Sequence, residues 1–157
     1  METRLVADSR TIQHYLILPG DANAQGNLFG GRLLSWIDML AGIVALRHTN
    51  SQMFTVAIDN ITFQKSAIVS DVVTLDGRVT RTGRTSLEVR IDTYRENKGV
   101  PKELINTAYV VMVAVEDGTH TPKPVPQLVP ETDAERMEWE KAEKRDALRK
   151  MRRAESY

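Results

Sequence analysis

The sequence predicts an α+β chain in which an antiparallel five-stranded sheet is covered by one long helix, with a charged helix after it. Three observations predict this. Segments rich in β-branched residues surround a single helical stretch that is apolar almost all the way round. One of those segments, Thr85 to Glu96, alternates with a period of two. Composition also changes sharply near Pro122, where prolines and then charges take over.

Thr11 to Leu18 is extended in character and supplies the first strand. The helix follows, over about residues 30 to 48. Met53 to Ala67 forms the next strand, with Val56, Ile58 and Asn60 on one face. Asp71 to Thr82, Thr85 to Glu96 and Leu104 to Glu116 complete the set as an antiparallel meander, turning at Gly83–Arg84 and at Asn97 to Pro101. In the middle strand Leu87, Val89, Ile91 and Thr93 form a dry face, and Glu88, Arg90, Asp92 and Tyr94 a wet one.

The organisation is a domain over residues 1–121, a proline-rich extended connector over 122–130 and a charged helix over 131–157. Glu140 with Lys144, and Asp146 with Lys150, set the acid four residues before the base, the favourable order on a helix. Such a helix reads as a solvated tail, although Met137, Trp139 and Leu148 point to some docking on its own domain or a neighbour.

Placed at about 100° per residue, Leu33, Leu34, Ile37, Leu40, Ala41 and Val44 form one broad apolar face of the first helix. Trp36, Met39, Ile43 and Leu46 stand opposite. A helix apolar nearly all round is buried, by a sheet curling round one side and a second subunit closing the rest. A third stripe holds Gly31, Ser35, Asp38, Gly42 and Ala45: four small residues and one carboxylate. Small side chains leave room for something else to approach, and a buried carboxylate needs a partner or a purpose. A carboxylate bonded to a backbone amide in a closely packed helix is the structural alternative.

Gly30 and Gly31 cost helix propensity, about 1 kcal/mol each relative to alanine. In return they give access to free N–H groups at the positive end of the helix dipole, where a developing oxyanion is stabilised. Their structural alternative is a tight turn capped by Asn27. Upstream, Asp21, Asn23, Gln25 and Asn27 cluster in a loop.

The absences are informative. There is no cysteine, so disulfides, thiolate metal sites and a cysteine nucleophile are excluded. Twenty-one Lys and Arg balance twenty-one Asp and Glu, leaving no global field to draw nucleic acid or a membrane. No run of 18 apolar residues and no leader-like N-terminus is present, so the expected compartment is cytoplasmic. Nucleophile-elbow, zincin, Walker and dinucleotide motifs are all missing. His14, His48 and His120 lack ligand spacing and read as structural or solvated, so no metal site is expected.

The run PGDANAQGNLFGGRLLSWID, the strand TVAIDNITF, the SDVV turn entry and the turn RTGRTS resemble the acyl-CoA thioesterases of the hotdog fold. The nearest group is the bacterial acyl-CoA hydrolases related to the cytosolic acyl-CoA hydrolase. The likeness runs from about Leu16 to Glu116 and leaves the charged tail outside. It implies a sheet wrapped around one central helix, and dimers joined edge to edge, commonly as a trimer of dimers. The resemblance makes Asn23 the catalytic loop asparagine and Asp38 the helix acid, the paired residues coming from different subunits. It makes Gly30, with Gly31 as second candidate, the donor that polarises the thioester carbonyl. Gly83, Arg84, Thr85 and Ser86 resemble the segment that lies along the coenzyme A arm. No cofactor is implied, since coenzyme A belongs to substrate and product.

The expected reaction is hydrolysis of a fatty acyl-CoA, with Asp38 as general base or nucleophile and its pKa raised by burial. One alternative keeps the fold and makes the chain an acyl-CoA hydratase or dehydratase, which typically pairs a histidine with an acid. Another is a non-catalytic acyl-CoA-binding module, for which Asn23 and Asp38 serve no purpose.

Overall fold

The computed structural model describes residues 2–59 and 61–157. A short strand β1 (Thr3–Leu5) and one turn of helix α1 (Val6–Ser9) lead into β2 (Thr11–Leu16). The long helix α2 (Gly30–Thr49) follows, then β3 (Gln52–Ile58), β4 (Val72–Thr82), β5 (Ser86–Asn97) and β6 (Val100–Val115). The chain ends in β7 (Gln127–Val129) and α3 (Asp133–Glu155).

The main sheet is antiparallel, in the order β2-β4-β5-β6-β3, and wraps around α2 as the sequence predicts. Leu33, Ile37, Leu40, Ala41 and Val44 of the helix meet Val73, Leu75, Val89, Ile91 and Val110 in the core. Helix and sheet approach closely at Gly77, where a Cβ would stand 3.0 Å from Val44 Cγ2 and 3.2 Å from Leu40 Cγ. A side chain there would require the Val44 or Leu40 side chain to give by a few tenths of an ångström.

Three expectations are corrected. The third strand stops at Ile58 instead of reaching Ala67, and a bulge interrupts its pairing with β6 between Thr55 and Ala57. Asn60, expected on one face of that strand, lies outside the described residues. The connector is also more than a spacer, because β7 within it pairs in parallel with β1. Beneath that pair the His48 imidazole is fully buried, donating from Nε2 to the Pro126 carbonyl at 2.8 Å. Burial holds its pKa below the ordinary histidine value, so it is neutral and structural.

The third correction concerns α3 and the wet face of β5. Thr132 caps the helix: its hydroxyl accepts from the Glu135 N–H at 3.1 Å, and the Glu135 carboxylate accepts in return. The helix then lies across the convex face of the sheet, burying Glu88 and Asp92 to within 4% of full burial. Glu88 accepts from Thr80 Oγ1 at 2.6 Å, Arg145 Nη2 at 2.7 Å and Arg149 Nη1 at 3.3 Å. Arg78 bridges Asp92 on the sheet to Glu138 on the helix, at 3.2 and 2.9 Å. The Arg145 guanidinium also stacks 3.6 Å over the Tyr109 ring. Polar residues of β5 therefore face a charged helix, not water. Removing one partner of such a seam strands the others, so Glu88→Ala should destabilise the chain by about 3–5 kcal/mol in chemical denaturation. A loss under about 1 kcal/mol would mean that α3 is only loosely attached.

Candidate active site

The loop before α2 is pinned at both ends. Leu28 N–H bonds the Ala67 carbonyl at 2.8 Å and Phe29 N–H bonds the Asp21 carbonyl at 2.9 Å. At its tip Asn23 is exposed, and its Oδ1 accepts the N–H groups of Gln25 and Asn27, both at 3.1 Å. Gly26, at φ +79°, makes this turn possible. Oδ1 is committed to the backbone, and among the described residues the Asn23 NH₂ group has no acceptor.

The loop delivers the chain into α2 with Phe29 as N-cap, and no side chain caps the helix. Asn27 does not cap it, contrary to the structural alternative; the Arg32 and Leu33 N–H groups return to the Phe29 carbonyl at 2.9 and 3.2 Å. The N–H groups of Gly30 and Gly31 have no acceptor among the described residues. A Cβ at Gly31 would come within 2.6 Å of the Phe29 ring, and one at Gly30 would touch the Phe63 ring at 3.5 Å. Phe63, Leu28, Leu33 and Ala67 wall a small cavity of about 170 Å³ beside Gly30.

Asp38 stands eight residues along the helix, about 12 Å from Gly30. Its Oδ1 accepts a 2.7 Å hydrogen bond from the Thr55 hydroxyl of β3, and among the described residues it has no ion pair. Sequence reading passed over Thr55, because an isolated threonine on an edge strand carries no signal. Its hydrogen bond to Asp38, from a position paired with the buried Met112, shows that it faces α2.

The expected burial of Asp38 is corrected for the single chain. Asp38, Gly31 and Ser35 are exposed, Gly42 is half-buried, and only Ala45 of that stripe is buried. The sheet covers one side of α2 and leaves Leu34, Met39 and Leu46 bare, while Phe54 and Val56 of the edge strand β3 are exposed on the sheet face turned away from the helix. Trp36, grouped with the far side by its spacing, is buried instead, stacked on Tyr15 of β2 with ring centroids 4.1 Å apart.

Not every expected site residue comes together within one chain. No hydrogen bond joins Asn23 to Asp38. Gly83, Arg84, Thr85 and Ser86 form the β4–β5 turn and line a separate cavity on the convex face, while Asp38 lies on the concave one. His14 bonds Thr74 Oγ1 at 2.8 Å and His120 stacks on Phe54, so no histidine bonds the acid. Among the described residues no helix is long and apolar enough to cross a membrane.

Residues 25–102 match the thioesterase superfamily as a sequence family. A Bacillus subtilis protein described as an uncharacterized acyl-CoA thioester hydrolase, YkhA, is 36% identical over 99% of this chain and 90% of its own length. A solved apo-hexameric acyl-CoA thioesterase superposes with a TM-score of 0.93 at 41% identity, covering 98% of this chain and 99% of that one. An acyl-CoA hydrolase from Staphylococcus aureus, in complex with butyryl coenzyme A, coenzyme A and coenzyme A disulfide, gives 0.91 at 30% identity, covering 98% and 94%. Alanine variants of that hydrolase at an asparagine, an aspartate and a threonine are each 29% identical, with TM-scores of 0.90–0.92 and 98–99% of this chain and 93–96% of theirs covered. Those three positions stand fifteen and seventeen residues apart, the spacing of Asn23, Asp38 and Thr55 here.

Proposed function

This chain belongs to the hotdog-fold thioesterase superfamily, closely related to the bacterial acyl-CoA hydrolases, and on that premise we propose that it hydrolyses a fatty acyl-CoA to free fatty acid and coenzyme A. The observation that carries this reading is the Asp38 carboxylate, oriented by Thr55 on the helix that begins with the N–H groups of Gly30 and Gly31, the acid without an ion pair and the N–H groups without an acceptor among the described residues. A carboxylate can take a proton or attack a carbonyl carbon, and uncapped N–H groups are ready to receive a developing oxyanion.

In this mechanism the thioester carbonyl lies against the start of α2. As water adds to the acyl carbon, its proton passes to Asp38, and Gly30 with Gly31 stabilises the charge on the carbonyl oxygen. The C–S bond then breaks, and the thiolate leaves and takes up the proton. In the nucleophilic variant Asp38 Oδ attacks first and displaces the coenzyme A thiolate to form a mixed anhydride, which water cleaves to the fatty acid and the restored Asp38 carboxylate. A thiolate leaves readily, so a histidine acid is not needed. Asn23, through its NH₂ donor, holds the water or the carbonyl in line.

The separation of Asn23 from Asp38 within one chain fits a site built from two subunits. Asp38 of one chain would work with Asn23 of the partner subunit, and the bare face of α2 with the free edge of β3 offers the joining surface. A dimer assembled three times would match the hexameric relative. Release of coenzyme A thiol from a panel of saturated acyl-CoAs tests the reaction, since a hydratase has no reaction with them. Release is expected; none across the panel would refute hydrolysis.

A further inference from the structure

Residues 61–67 pass the start of α2 with the Phe63 ring against Gly30, and the cavity of about 170 Å³ beside Gly30 lies between them. Its floor is apolar and closed, because Leu33, Ala67 and Ile105 are each no more than 3% exposed. Leu28 and the Phe63 ring stand as walls, with Phe63 and Lys65 exposed at the rim. These residues all belong to one chain, so the depth of the cavity is fixed within that chain.

The wall that carries Phe63 is held in three places. Asn106 Nδ2 donates to the Thr62 carbonyl at 2.8 Å, and Arg95 Nη1 donates to the Ser66 carbonyl at 3.1 Å. The Leu28 N–H bonds the Ala67 carbonyl at 2.8 Å. Lys65 Nζ is paired with Glu103 of β6 at 3.0 Å, which ties down the one charge at the rim. A wall bonded at both ends sets a volume that a ligand has to fit, as close-packed protein interiors do.

Position gives this volume its use. With the thioester carbonyl against Gly30, the carbons that follow it stand at the mouth of the cavity, and a closed apolar floor favours a saturated chain over a polar group. Taking a methylene as about the size of a water molecule, about 30 Å³, the 170 Å³ present holds about six carbons. A longer chain meets the buried Leu33 and Ile105 below, or the Phe63 ring, whose Cζ would stand 3.5 Å from a Cβ at Gly30.

Resting on the acyl-CoA reading above, we propose that this cavity receives the acyl chain and restricts the preferred substrates to saturated acyl groups of up to about six carbons, with Phe63 setting the limit. Phe63 is then a specificity-determining residue with no part in the chemistry.

The test is a chain-length series from acetyl- to palmitoyl-CoA on the wild type, Phe63→Ala and Phe63→Trp. Phe63 is exposed, so both variants keep the core. In the wild type kcat/KM should rise about fourfold per added methylene, the value of burying one, up to about six carbons, and fall beyond. Phe63→Ala should move the maximum about three carbons longer, the room of the deleted ring, and Phe63→Trp should move it shorter. The position of the maximum is the readout, since a general disturbance of the fold lowers every length alike. Calorimetric titration of the same series into Asp38→Asn, which spares the substrate, should give the same order as affinities. If the wild type released no thiol while those affinities kept that order, the hydrolase reading would fail and the cavity would stand. Equal kcat/KM for hexanoyl- and palmitoyl-CoA in the wild type would overturn the limit. A maximum unmoved in both Phe63 variants, or an equal loss at every length, would overturn the part given to Phe63.

Discussion

Asp38→Asn should stop coenzyme A release while the protein stays folded and assembled. The substitution is nearly isosteric, and the amide oxygen can still accept the 2.7 Å bond from Thr55. Asp38 is exposed in the single chain and has no ion pair among the described residues, so no buried charge is orphaned. What disappears is the capacity to take a proton or attack a carbonyl. Loss of a general base lowers kcat by about 10²–10⁴, and loss of a nucleophile by more. Thiol-release kinetics beside size-exclusion chromatography reads both quantities. A variant within a few-fold of wild type would move the acid to another residue.

Asn23→Ala should lower kcat by about 10²–10³, the usual effect of deleting one transition-state donor. The structure supplies a control for the loop's own integrity. Asn23 Oδ1 accepts two backbone N–H groups, so alanine removes a turn contact as well as a donor. Asn23→Asp keeps the accepting oxygen and deletes the NH₂ donor, at the cost of an added negative charge. Comparable losses in both variants assign the effect to the donor. An active Asn23→Asp beside an impaired Asn23→Ala would show that the residue merely shapes the loop.

The features legible in the sequence were those set by local periodicity. Leu33, Ile37, Leu40, Ala41 and Val44 specify a buried helix wherever the sheet lies, and the alternation of β5 gives its dry face at once. Features decided by tertiary partners were not legible. Glu88, Arg90 and Asp92 read as solvent-facing because polar residues on alternate positions usually are; the complementary charges of Arg145, Arg149 and Glu138 lie some fifty residues on. The end of β3 was missed because residues 59–67 retain strand-like composition while the chain leaves the sheet edge after the Asp59 N–H bonds Tyr109 at 3.0 Å. At the site, Gly30, Gly31 and Asp38 follow from their places on one helix, but Thr55 is tied to Asp38 only by the packing of β3 against α2. The burial expected for Asp38 is not met within one chain, because the sheet covers only one side of α2, a matter of curvature that helical periodicity does not encode.

The claim on which the account turns is that two subunits share one site. Mixing tests it directly. Subunits carrying Asn23→Ala and subunits carrying Asp38→Asn are each nearly inactive alone. If the pair comes from different chains, co-assembly rebuilds one intact site in each mixed dimer, and random pairing restores about a quarter of the wild-type rate. Mixed assemblies, verified by a tag on one variant, that remain as inactive as their parents would contradict the shared site and place Asn23 and Asp38 in the same chain's chemistry.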